Sequence, residues 1–256
     1  MKLALIQAPL VWEDVEQNTA YFKNKLNHIE AGTDLVVLPE MFTSGFTMNP
    51  ERVFMTMEDT FIQELQTCCK THHFALTGSV VIKEDNQFFN RLFFILPTGE
   101  FQTYDKRHLF SLAGEEKVYA PGMDRLIIEY NGWKICPLVC YDLRFPAFAR
   151  NVGEAYDLLL YVASWPDQRI YAWDTLLKAR AIENMSYVIG VNRCGEDQND
   201  NQYTGHSQAI DYMGQYLIDP LEGEVIRYVV LDKAAQDKAR NRFAFLKDAD
   251  AIEIKN

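Results

Sequence analysis

Residues 34–40 read Asp-Leu-Val-Val-Leu-Pro-Glu. Leu35 to Leu38 is a continuous apolar run without alternation, the pattern of a short strand covered on both faces rather than one lying on the surface. Pro39 stops it, and Glu40 then stands before Met41 and Phe42, an apolar setting in which an unpartnered carboxylate is costly. Working outward, Lys2 to Ala8 is a similar short strand stopped by Pro9. Between the two lies a predicted helix. Asp14 with Gln17 three residues on is its start signal, Phe22, Leu26 and Ile29 its apolar face, and Gly32 its stop.

The strand, helix, strand opening is followed by a second helix marked by Phe61, Leu65, Cys68 and Cys69. Strands are predicted over Ala75 to Ile82 and Phe88 to Leu96, joined across Glu84 to Gln87. Pro97 to Gly99 makes a turn, and Asn131-Gly132 between 125–130 and 133–139 is a strong two-residue hairpin signal. Tyr156 to Ala163 and Ser186 to Asn192 read as buried strands flanking a helix whose face is Ile170, Trp173, Leu177 and Ala181. Meandering strands over Gln208 to Val230 precede a short polar helix near Asp232 to Asn241. Helices separated by both single buried strands and hairpins imply an α/β fold, a mixed sheet with helices outside it.

At 256 residues and 48% hydrophobic, the chain can bury one large core, and we expect a single domain over 1–256 with a short tail from about 232. No stretch approaches the roughly 18 apolar residues of a membrane span, and no leader or anchor is expected. Five cysteines form an odd, sparse set that argues against a disulfide framework and for a reducing, cytoplasmic setting. A net charge of −11 with scattered Lys and Arg speaks against nucleic acid as a partner, though local charge in a cleft can still favour an anionic small molecule.

Three short strands end in residues that a solvated loop would not need: Glu40, Lys106 after Gln102-Thr103-Tyr104-Asp105, and Cys140 after Pro137-Leu138-Val139. Ends of adjacent strands are common building places for sites. A thiol, a carboxylate and an amine would together support acyl transfer: Cys140 as nucleophile, Glu40 as its base and Lys106 as donor to the oxyanion. A helix beginning beyond Pro146 would add its N-terminal dipole to favour the thiolate. Taken singly, a cysteine closing an apolar strand is more often core than catalyst, and Cys136, Cys68 and Cys69 are read as core. His72-His73 reads as a solvated helix end.

DLVVLPEMFTSGF (34–46), YDKRHLF (104–110) and CPLVCYDLRFP (136–146) resemble, in order and spacing, the three signature blocks of the nitrilase superfamily, the carbon–nitrogen hydrolases. YDLLLYVASWP (156–166), KARAIENMSYVIGVNRCG (178–195) and GHSQAIDYMG (205–214) extend the likeness from about Lys2 to Val230. The resemblance implies a four-layer α-β-β-α sandwich, usually paired as a homodimer, with no metal or organic cofactor. It also implies Glu40 as general base, Lys106 as oxyanion-stabilising amine, Cys140 as nucleophile and the Tyr141 N–H as completing the oxyanion hole. A second glutamate is expected between the lysine and cysteine blocks, where Glu115, favoured by its distance from Gly122, competes with Glu116.

Within the superfamily, TSGF after Glu40, CYDLRFP, ASWP and the short C-terminus resemble the omega-amidase branch, which implies a small 2-oxoacid amide as substrate. Arg144 would receive its carboxylate through a two-pronged contact, or else tie down its own loop. Trp165 and Phe46 would shape the pocket or pack the core, and Tyr141-Asp142 would support the turn. Other readings are an N-carbamoyl or aliphatic amide hydrolase, a nitrilase proper, a Cys–His hydrolase of the papain kind using His108 or His206, and a catalytically silent binding module.

Overall fold

The computed structural model describes residues 1–250. Its strands, in chain order, are β1 (Lys2–Gln7), β2 (Leu35–Val37), β3 (Ala75–Glu84), β4 (Gln87–Ile95), β5 (Phe101–Asp105), β6 (Ile128–Tyr130), β7 (Trp133–Val139), β8 (Leu158–Ala163), β9 (Tyr187–Asn192), β10 (Gly195–Glu196), β11 (Gln202–Tyr203), β12 (Gly205–Ile210), β13 (Tyr216–Glu222) and β14 (Val225–Val230). The helices are α1 (Val15–Leu26), α2 (Thr60–His72), α3 (Pro146–Ala149), α4 (Ile170–Asn184) and α5 (Lys233–Phe243). Two six-stranded sheets form, in the orders β14-β1-β2-β3-β4-β5 and β13-β12-β9-β8-β7-β6. Each has three parallel strands at its centre, β1-β2-β3 in one and β7-β8-β9 in the other.

Alternation along the parallel strands explains the layering. Leu3, Leu5, Leu35 and Val37 enter the core shared with β7, β8 and β9, while Ala4, Ile6, Val36 and Leu38 face Phe22 and Leu26 of α1 and Phe61 and Leu65 of α2. On the far side, Trp173, Leu177 and Ala181 of α4 close the second sheet. The result is the expected α-β-β-α sandwich, whose two buried sheets require the unbroken apolar runs seen in the sequence.

Several local expectations are met in detail. Asp14 accepts the Gln17 N–H at 2.9 Å at the start of α1. Asn131 and Gly132 both have positive φ, 47° and 74°, as a type I′ hairpin turn needs. Other details differ. α1 ends at Leu26, so Ile29 packs on the core from outside the helix. β3 and β4 stay paired to Glu84 and Gln87, leaving only Asp85-Asn86 as the turn. The last strands do not stay in one sheet: β13 borders β12, whereas β14 crosses to lie antiparallel to β1. The short polar helix expected near 232–241 is α5, held by Arg240, which donates to Asp157 Oδ1 at 3.0 Å and to the Tyr156 carbonyl at 2.8 Å.

Candidate active site

Because the central strands of each sheet are parallel, their carboxyl ends share an edge. Glu40 follows β2, Lys106 follows β5, Cys140 follows β7 and Ser164 follows β8, and all four meet there, the first two from one sheet and the last two from the other. Lys106 Nζ donates to Glu40 Oε1 at 2.9 Å and to both Glu115 oxygens at 3.0 and 2.9 Å. The burial pattern separates the two adjacent glutamates: Glu115 is fully buried and Glu116 exposed. Phe110 N–H, at 2.6 Å, fixes the second Glu115 oxygen.

Glu40 is held on three sides. Besides Lys106, it accepts from Asn90 Nδ2 at 2.8 Å and, on its other oxygen, from the Ser164 N–H at 2.9 Å. Neither Asn90 nor Ser164 is among the candidates drawn from the sequence. A lone amide inside the apolar strand 88–96 is a signal for Asn90, whereas Ser164 contributes a backbone N–H, which leaves no mark on residue type.

Cys140 lies beside Glu40 and Lys106 at the wall of a cavity of about 460 Å³. Its φ is +45°, a left-handed conformation that is strained for a residue with a Cβ and lifts the side chain out of the strand line. Asp142 holds this bend, accepting from the Val139 N–H at 3.0 Å, the Tyr104 hydroxyl at 2.7 Å and the His108 N–H at 3.1 Å. Leaving such buried donors without an acceptor costs about 1–3 kcal/mol each, so Asp142 supports the turn rather than the chemistry. Tyr141 falls in the first turn of the 3-10 segment Cys140–Arg144, where backbone N–H groups have no partner within the helix. The helix expected beyond Pro146 is only the four-residue α3, too short to supply a macrodipole, so that expectation is corrected.

Burial, reinforced by the Glu40 carboxylate, pushes the Cys140 thiol well above its usual range, outweighing Lys106 and the Ser164 N–H. Burial alone would depress the Lys106 ammonium, but Glu115 and Glu40 hold it above the ordinary lysine range. Glu115 is raised by burial, with Lys106 pulling the other way. The site is thus built around a protonated thiol next to a carboxylate, with a fixed ammonium alongside.

The remaining sequence candidates take distinct places. Phe46, Arg144 and Trp165 all line the cavity. The Arg144 guanidinium lies 5.0 Å over the Trp165 ring and has no hydrogen-bond or ion-pair partner among the described residues, so it does not tie down its loop. Phe46 lies under Lys106 Nζ at 5.2 Å. His108 is turned to Asp142 at 2.7 Å and stacked on Phe145 at 3.7 Å, while His206 bonds Asp174 at 2.9 Å. Neither histidine lines the cavity, which removes the basis for a Cys–His pair. Cys136 and Cys69 are buried in the core, whereas Cys68 is half-buried at its margin. His72 and His73 are exposed at the end of α2.

Residues 2–240 match the carbon–nitrogen hydrolase family model. The chain is 40% identical over 255 residues to omega-amidase YafV of Escherichia coli (strain K12), covering 99% of this chain and 98% of that protein. It is 28% identical over 240 residues to the 2-oxoglutaramate amidase of Bacillus subtilis (strain 168), covering 92% and 91% of the two chains. A solved carbon–nitrogen hydrolase superfamily protein from Xanthomonas campestris, which carries an arsenic adduct in its active site, superposes with a TM-score of 0.96 at 40% identity, covering 100% of this chain and 99% of that one. The chain therefore belongs to the carbon–nitrogen hydrolase family, and it is a hydrolase acting on carbon–nitrogen bonds.

Proposed function

We propose that this protein releases ammonia from the ω-amide of small 2-oxoacids, such as 2-oxoglutaramate and 2-oxosuccinamate, through a thioester on Cys140. The observation that carries the reading is one cavity bearing both the Glu40, Lys106 and Cys140 group and, at Arg144, a guanidinium with no partner among the described residues. The names of the relatives support the same substrate class.

In this mechanism Cys140 Sγ attacks the amide carbon as its proton passes to Glu40. The oxyanion is stabilised by the Lys106 ammonium and the Tyr141 N–H. Glu40 returns the proton to the departing nitrogen as the carbon–nitrogen bond breaks, giving ammonia and the thioester. Glu40 next takes a proton from water as the water oxygen attacks the thioester, and that proton returns to sulfur as the new carboxylic acid leaves and ionises to the dicarboxylate. Glu115, wedged against Lys106, keeps the ammonium in place and charged. Arg144 takes the substrate carboxylate, and Trp165 and Phe46 bound the space around the chain.

Supplying 2-oxoglutaramate and following ammonia release tests the reading. Turnover is expected; turnover of an N-carbamoyl amino acid or a nitrile in its absence would assign the protein elsewhere in the family. The proposal extends to a homodimer: Ile182 and Met213 are exposed apolar side chains on neighbouring elements, with Ile182 against Gly214, a patch suited to a second copy. Sedimentation equilibrium should return twice the chain mass of 29.6 kDa, and a monomer at micromolar concentration would refute this extension.

A further inference from the structure

Besides Arg144, a second cation on the cavity wall has no hydrogen-bond or ion-pair partner among the described residues. Arg169 closes the 3-10 turn Asp167–Arg169 just before α4, and its guanidinium lies 5.2 Å over the Phe110 ring. Both Arg169 and Phe110 line the same cavity as Cys140. The Arg169 backbone carbonyl accepts the Trp165 Nε1–H at 2.8 Å, so Trp165 is anchored by one arginine's main chain and covered by the other's guanidinium. Like Arg144, the Arg169 side chain has neither a hydrogen bond nor an ion pair among the described residues. Two neighbouring carboxylates are committed elsewhere: Asp167, at the start of the same turn, accepts from the Thr204 N–H and hydroxyl, and Asp197, which lines the cavity, from Asn199, Asn201 and Tyr203.

In a chain of net charge −11, two guanidiniums without a partner among the described residues stand out on a cavity wall whose one lining carboxylate, Asp197, is held by other groups. One carboxylate, gripped by two parallel N–H groups, satisfies one guanidinium. The second calls for another acceptor close by on the ligand. A 2-oxoacid supplies one in its carbonyl oxygen next to the carboxylate, whereas a 2-amino acid presents an ammonium there, repelled by both cations. We propose that Arg169 reads the 2-oxo oxygen of the substrate while Arg144 takes the carboxylate, so that Arg169 sets the preference for 2-oxo over plain ω-amides. This assignment rests on the substrate class proposed above.

The test compares 2-oxoglutaramate with glutaramate, which lacks only the 2-oxo oxygen, in the intact enzyme and in Arg169→Ala and Arg169→Lys. Losing a hydrogen bond from a charged donor should lower kcat/KM for 2-oxoglutaramate by about 10- to 100-fold, chiefly through KM. Glutaramate turnover should fall clearly less, by no more than about threefold, since it loses only the general attraction of one positive charge for its carboxylate and no hydrogen bond. Because alanine keeps the carbonyl that anchors Trp165, the glutaramate rate also reports that the pocket is intact. Lysine should recover part of the loss, lacking the planar fork. An equal loss on both amides, or none on either, would overturn the role of Arg169 alone. Turnover of glutaramate with none of 2-oxoglutaramate by the unaltered enzyme would overturn the substrate class and this role together.

Discussion

Cys140→Ala should abolish ammonia release, by about 10⁴-fold or more, while leaving the fold intact. The nucleophile has no stand-in: Cys136, in the preceding strand β7, is fully buried in the hydrophobic core. Alanine keeps the Cβ at the strained φ of +45°, and the Asp142 bonds that hold the turn do not involve sulfur, so unfolding by denaturant should change by no more than about 1 kcal/mol. Iodoacetamide labelling supplies an independent readout. Burial and the neighbouring Glu40 charge favour the thiol over the thiolate, so labelling should be slow near neutrality, rise with pH, and be suppressed by substrate. A variant that keeps turnover, with His108 or His206 then sensitive to substitution, would return the chemistry to a Cys–His pair. The geometry opposes this, because each histidine already faces an aspartate away from the cavity.

What the sequence made visible follows from what kind of group does each job. The run ending at Glu40 and that ending at Cys140 were legible because strands buried on both faces have to be apolar throughout, which isolates the polar residue at each end. The Asn131-Gly132 turn was legible because few residues adopt the required positive φ. The preference for Glu115 over Glu116 rested only on its family-like distance from Gly122, because a one-residue step in a short 3-10 turn moves a side chain from the Lys106 ammonium to solvent with no change in composition. The partition of β13 and β14 between the two sheets was likewise hidden: both are edge strands with half-exposed faces, so their alternation does not say which sheet they border. Ser164 acts through its main chain, and Arg169 is conspicuous only once the other charges near it are found to be paired.

Lys106→Met should have the second large effect, and on stability as well as rate. The rate loss expected from removing an oxyanion donor is about 10²- to 10³-fold. The stability loss follows from what remains: Glu40 and Glu115, both fully buried, would face one another without the cation that bonds each of them. Stranding a buried charge in this way costs about 3–5 kcal/mol at neutral pH. The deficit should depend on pH with a defined sign. Burial already holds the Glu115 carboxyl above its ordinary 4.5, against the pull of Lys106, so the folded chain binds this proton more tightly than the unfolded one. Its contribution to stability is complete below about pH 4.5 and is lost as pH rises through the folded value. Without Lys106 that folded value climbs further, since the one group lowering it by charge is gone and the Glu40 repulsion stays. Denaturant unfolding at pH 7.5 and pH 5.5 should therefore show the variant's deficit shrinking toward acid, as protonation of Glu115 removes one of the two uncompensated buried charges. A deficit that is the same at both values, or larger at pH 5.5, would mean that the loss comes from packing around the lysine stem and not from the two carboxylates it holds.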